Sequence, residues 1–153
     1  MRFEHDRLEK LDDNDYEFVQ SVLTIYLAQN FAAKRNLTYY MDVAEYLRKE
    51  FGIQIEPWSV ALANLLGNIS ESEHKQGNPL LSAVVVNKDT LKPGDGFFKL
   101  AKELGLFKGS LNSQSDKDTF FINELNKVFD LWERECDPDY EVYLRLKKKF
   151  EGK

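Results

Sequence analysis

A chain of 153 residues with 42% hydrophobic and 13% aromatic content is long enough to bury one core and too apolar to be disordered. A net charge of −5 excludes the basic excess of a dedicated nucleic-acid coat or an anionic-membrane binder, while leaving room for a local basic face. The single cysteine, Cys136, has no internal disulfide partner, and the N-terminus carries no apolar leader-like run, so the expectation is a cytoplasmic protein without membrane association.

Residues 1–12 are charged and short of pattern. The run Asp12-Asp13-Asn14-Asp15 then supplies short capping side chains and negative charge where a helix dipole favours them. A calcium loop would need a glycine and a distal glutamate that this run lacks. Phe18, Val19, Val22, Leu23, Ile25, Tyr26 and Phe31 follow at mixed three-and-four spacing, which predicts a helix to about Lys34-Arg35. After the break at Asn36-Leu37, Thr38 is placed to cap a second helix, with Met41, Val43, Ala44, Leu47 and Phe51 on its apolar side and Gly52 as its terminator. Asp42, Glu45 and Lys49 share a face of that helix and read as ordinary solvated pairs. Ile53-Gln54-Ile55 is a short extended link. Pro57 suits the first turn of a third helix, whose buried stripe is Val60, Ala61, Leu62, Leu65, Leu66 and Ile69. Residues 71–76 continue that helix or turn, and Gly77-Asn78-Pro79 closes the segment.

Leu80–Val86 is the strongest strand signal in the chain, an apolar run β-branched at Val84, Val85 and Val86 and bounded by Asn78-Pro79 and Lys92-Pro93-Gly94-Asp95-Gly96. Such a run is expected to be covered on both faces. Gly94-Asp95-Gly96 opens a fourth helix carrying Phe97, Phe98, Leu100, Ala101 and Leu104. Asp95 argues against a phosphate there, and the Walker lysine and third Rossmann glycine are missing. The turn is read instead as capping by Asp95 or Gly96, with glycines free to take positive φ. Beyond the loop at 105–116, Ser115-x-x-Asp118 resembles a capping box. The helix it starts bears Phe120, Phe121, Leu125, Val128, Phe129, Leu131 and Trp132. That face is either core or, together with Trp58 and Tyr140, a partner-binding surface. Asp137-Pro138-Asp139 breaks the chain before a last amphipathic helix ending in Lys147, Lys148 and Lys149.

The fold class is therefore α+β and mainly helical. A winged-helix-like core over 37–104 is flanked by an N-terminal helix over 1–36 and C-terminal helices over 115–150, in one domain spanning 1–153, with Asn87–Gly96 as the wing.

Several stretches carry a family resemblance. They are Leu37-Thr38-Tyr39-Tyr40-Met41-Asp42-Val43-Ala44, the helix with Ala61, Leu62 and Leu66-Gly67-Asn68-Ile69, then Asn78-Pro79-Leu80-Leu81, the valine strand and the glycine turn. In that order they resemble the DNA-binding domain of the alkylguanine-DNA alkyltransferases and alkyltransferase-like proteins. The resemblance implies a winged-helix fold and a groove where a nucleobase or peptide could sit. It does not extend to the chemistry. Aligning the paired valines puts Leu81 at the reactive-cysteine position, with Ser82 and Ala83 in place of histidine and arginine, and residues 57–70 contain no basic side chain. The valine strand, the Pro-Gly-x-Gly-Phe-Phe turn and the later aromatic helix are also similar to small domains beside restriction and phage-defence nucleases, which implies a bacterial or phage defence context.

Chemistry is read by elimination. His5 and His74 are the only histidines, and no Cys-x-x-Cys or His-Glu-x-x-His spacing occurs. The expectation is a non-enzymatic binding protein without cofactor or metal, contacting a protein partner or duplex DNA. The alternatives are a sequence-tolerant DNA-binding module using the wing, and a small enzyme or nuclease subunit whose site is unrecognised. The contact residues expected are Trp58, Ser59 and Asn64 on the third helix and Asn87, Lys88, Thr90 and Lys92 in the wing. The lysines would hold phosphates, while Ser59 and Asn64 would reach base edges.

Overall fold

The structure, a computed structural model, describes residues 2–136 and Lys149. The expected helix after Asp137-Pro138-Asp139, with Tyr140 and Lys147–Lys148, lies outside the described residues. The architecture is mainly helical with one small parallel sheet. In chain order come α1 (Asp13–Asn30), β1 (Thr38–Tyr39), α2 (Tyr40–Phe51), α3 (Val60–Lys75), β2 (Val85–Val86), α4 (Asp95–Glu103) and α5 (Gln114–Glu135).

α1 starts as its sequence dictates, with the Asp12 side chain accepting the Asp15 N–H at 2.8 Å. It ends at Asn30, earlier than the apolar spacing suggests. A 3-10 turn over Ala32–Lys34 then leads to Arg35 in the left-handed region. The Arg35 guanidinium bridges Asp130 and Glu133 on α5 at 3.0 and 3.2 Å and lies over the Phe129 ring, so this turn is clamped to α5. Thr38 does not cap α2. It is buried in β1, where Thr38 and Tyr39 pair in parallel register with Val85 and Val86. Gly52 ends α2 at φ 70°, as expected.

Pro57 is likewise outside its helix. Glu56-Pro57-Trp58-Ser59 forms a turn closed by the Ser59 N–H on the Glu56 carbonyl, and the Ser59 hydroxyl caps α3 by accepting the Leu62 N–H. Proline at the second place of a turn exploits the same fixed φ that suits a helix start. α5 is capped by Ser113, which accepts the Asp116 N–H, rather than by Ser115.

The largest correction concerns Leu80–Val86. Only Val85 and Val86 are strand, and Leu81–Val84 is a 3-10 turn. The run is buried throughout, as its composition requires, yet the ladder with β1 reaches only Val85 and Val86, and at Leu80 and Ser82 side chains satisfy the backbone N–H groups instead. The Leu80 N–H donates to the Glu124 carboxylate of α5 at 2.8 Å, and the Ser82 N–H donates to the Ser70 hydroxyl of α3 at 2.9 Å. α1, α3 and α5 all pack on this turn, so the apolar run is the hub of the core in a coiled form. The aromatic face of α5 is core as well, with Phe120 and Phe121 against Phe97 and Phe120 against Phe107.

Candidate functional site

A cavity of about 210 Å³ opens where the start of α3, the start of α4, Tyr40 and Asn87 converge. Its apolar walls include Trp58, Leu66, Phe97 and Leu100, and its polar edge is made by Tyr40, Ser82, Asn87 and the Gly94-Asp95-Gly96 turn. It is smaller than the 300–1,000 Å³ typical of drug-sized ligands, which limits the occupant to about one ring system.

Local sequence builds this edge. The Tyr40 hydroxyl, at the first residue of α2, accepts the Gly94 N–H at 2.8 Å. Its own proton is then free to donate into the cavity. Burial pushes the Tyr40 pKa up, with the Gly94 bond acting weakly in the other direction, so the phenol stays neutral in ordinary buffers. Gly94 is the cap residue of α4 and brings no side-chain cap. Asp95 and Gly96 both line the cavity, and their N–H groups, in the first turn of α4, have no intrahelical acceptor. Neither Gly94 nor Gly96 has positive φ, contrary to the sequence expectation. A Cβ at 94 would meet the Tyr40 hydroxyl oxygen at 3.5 Å, an ordinary van der Waals contact, so the edge does not require glycine there. Ser82 reaches the edge from the 3-10 turn, its hydroxyl accepting from Ser70 at 2.6 Å. Asn87 donates its amide to the Lys92 carbonyl at 3.2 Å, leaving its side-chain oxygen as an acceptor. Asp95, exposed, adds a carboxylate that disfavours a phosphate and favours a neutral ring bearing N–H groups.

The expected contact residues divide over this geometry. Trp58, Ser59 and Asn87 line the cavity, and Trp58 is 83% exposed beside it. Asn64 lines a separate groove with Arg7, Gln54 and Glu56 on the other side of the α3 start. Lys88, Thr90 and Lys92 sit on a loop that closes on itself, with the Asn87 N–H on the Lys92 carbonyl and the Leu91 N–H on the Asn87 carbonyl. Thr90 serves that closure by accepting the Lys92 N–H. The Lys92 ammonium is engaged by Asp118 of α5 at 3.1 Å, and the Lys88 ammonium lies 6.0 Å over the Tyr39 ring. Sequence reasoning missed Tyr40, Ser82 and the α3–α4 contact surface of Leu66, Gly67 and Leu100. The doubled tyrosine after Thr38 was the available signal for the first.

Among the described residues no cluster of three or more His, Cys, Asp or Glu side chains is placed to hold a metal, and no helix is long and apolar enough to cross a membrane. No family model, curated protein or solved structure matches the chain.

Proposed function

We propose that this protein is a non-enzymatic nucleic-acid-binding module of winged-helix-like arrangement, and that the α3–α4 cavity receives a nucleobase. The observation that carries the reading is the pairing of apolar walls with a mixed hydrogen-bonding edge in a one-ring volume. Tyr40, the Asp95 and Gly96 N–H groups, Asn87 and Asp95 offer both donors and acceptors. An aliphatic side chain would leave these groups without partners, whereas the edge of a base meets them. Trp58 at the rim provides a stacking face for a neighbouring base. Lys88 supplies a phosphate contact, and Lys92 does so only by leaving Asp118. The family resemblance supports a base-accepting groove in this part of the chain. The chemistry of alkyl transfer finds no support: Leu81 is fully buried, Cys136 is remote in sequence, and no histidine lines the cavity.

A second reading keeps the same cavity and replaces the base by an aromatic side chain of a partner protein, in a bacterial or phage defence context. The acidic charge balance, the exposure of Trp58 and Val60 and the absence of cations from 60–73 favour it.

Fluorescence-anisotropy titration with labelled single-stranded and duplex oligonucleotides, at salt stepped from about 50 to 200 mM, separates the two. The nucleic-acid reading predicts saturable binding that weakens as salt rises. Absence of binding to either strand form at low salt refutes it and leaves the protein-partner reading.

A further inference from the structure

The polar groups around the α3–α4 cavity are sorted by depth. Asn87 and Asp95, which bring its side-chain acceptor oxygens, are exposed at the mouth. Ser82 is 7% exposed and lines the cavity from the buried 3-10 turn. Its partner Ser70, on α3, is shut off from solvent. The two residues form a closed pair: the Ser82 N–H donates to Ser70 Oγ at 2.9 Å, and the Ser70 hydroxyl donates to Ser82 Oγ at 2.6 Å. A hydroxyl carries one hydrogen, and the short line between two hydroxyl oxygens holds only one. On this line it is Ser70's, so the Ser82 hydrogen points elsewhere, and Ser82 lines the cavity. The half-buried Tyr40 hydroxyl is set in the same way, accepting the Gly94 N–H and keeping its proton for the cavity. The inner end therefore presents hydroxyl donors, and the acceptor oxygens stand at the mouth.

We infer that Ser82, oriented by Ser70, is a specificity-determining residue that selects a base entering with a carbonyl oxygen foremost and a ring N–H beside it: thymine, uracil or guanine over cytosine and adenine. This assignment rests on the nucleic-acid reading above. An exocyclic amino group brought to the inner end would set donor against donor and leave the Ser82 hydroxyl hydrogen without an acceptor in a site largely closed to water. A carbonyl oxygen accepts from Ser82, and the neighbouring ring N–H is then left for the Asn87 and Asp95 oxygens. A site built to hydrogen-bond one group rejects an analogue lacking it more strongly than an apolar pocket does.

The experiment titrates wild type, Ser82→Ala and Ser70→Ala with labelled short single strands that differ only in one pyrimidine set among abasic positions: thymine, cytosine or 2-pyrimidinone, which has no substituent at the thymine O4 position. Affinity is read by anisotropy and folding by thermal melting. Each affinity ratio compares probes on one protein, so a lowered folded fraction cancels, and the wild-type ratios need no variant at all. Wild type should bind the thymine strand about tenfold tighter than the other two. Ser82→Ala should narrow the gap between thymine and 2-pyrimidinone to about threefold or less. Ser70→Ala breaks the same buried pair but keeps the Ser82 hydroxyl, so it should keep most of that gap even if it melts lower. Equal binding of the three strands by wild type overturns the assignment while sparing the base-in-cavity reading. A gap unchanged in Ser82→Ala, or closed alike by both variants, also overturns it, because Ser82 would then be silent or purely structural. Failure of wild type to bind these strands and an unmodified strand overturns the nucleic-acid reading and the assignment together.

Discussion

Glu124 is a carboxylate on α5 that is 5% exposed and whose Oε2 accepts the Leu80 N–H at 2.8 Å. It holds the start of the 3-10 turn that delivers Ser82 to the cavity, so its replacement tests both the core and the site. Glu124→Ala removes a charge-assisted bond contributing about 1.5–3 kcal/mol and leaves a buried N–H unpaired. It also opens a cavity among α5, α3 and the turn. Together these give a loss of about 3 kcal/mol. Glu124→Gln keeps a carbonyl oxygen for the Leu80 N–H and should cost about 1 kcal/mol. Urea unfolding followed by far-UV circular dichroism reads the difference. With an m-value of about 2 kcal/mol/M, the alanine midpoint falls by about 1.5 M and the glutamine midpoint by about 0.5 M. An alanine variant within about 0.5 kcal/mol of wild type, or a glutamine variant as unstable as alanine, would refute the reasoning.

Two further predictions follow from buried and bridged charges. Burial raises the Glu73 carboxyl above its ordinary pKa, with Asn78 acting weakly against it, and Oε1 is buried without a partner. The folded protein therefore holds that proton more tightly than the unfolded chain. The resulting stability is present below the ordinary carboxylate range and is lost as pH rises through the raised folded value. Glu73→Gln should match wild type near pH 4 and exceed it by about 1 kcal/mol at pH 8 in urea titrations, and a variant less stable at pH 8 contradicts this. At the loop, Lys88→Ala should weaken oligonucleotide binding and lower the salt slope by about one, while Lys92→Ala does less because Asp118 already engages that ammonium. Equal effects from both lysines would show that Asp118 releases Lys92 on binding.

Local signals in the sequence were enough for much of the helical frame. The Asp12 cap, the Gly52 terminator and most of the apolar stripes of α2 and α3 depend on neighbours within a turn or two and appear where their spacing puts them, but Met41 and Val60, expected in those stripes, stand exposed at the helix starts. The Leu80–Val86 run shows what local signals cannot carry. Its burial is written in its composition. Its conformation depends on Glu124 and Ser70, which lie 44 and 12 residues from their backbone partners. β-Branched side chains favour strand only where a neighbouring strand accepts the ladder, and the short β1 offers two residues. The candidate site has the same character. Trp58, Ser59 and Asn87 were visible as polar or aromatic residues at element ends. The Tyr40–Gly94 bond that shapes the edge spans 54 residues and no local pattern announces it. Asn64 was placed with them from helix position alone, and it faces the other side of the α3 start.

The central claim is that a base enters the α3–α4 cavity. Ala63 lines that cavity and is exposed, so Ala63→Leu fills the space without disturbing the core. Tryptophan fluorescence in a Trp132→Phe background reports Trp58 alone at the rim. The most direct measurement is the quenching of that fluorescence by a single-stranded oligonucleotide. Saturable quenching that falls by about tenfold in affinity with Ala63→Leu is the predicted result. Quenching unchanged by the filled cavity, or none in the parent protein, would contradict it.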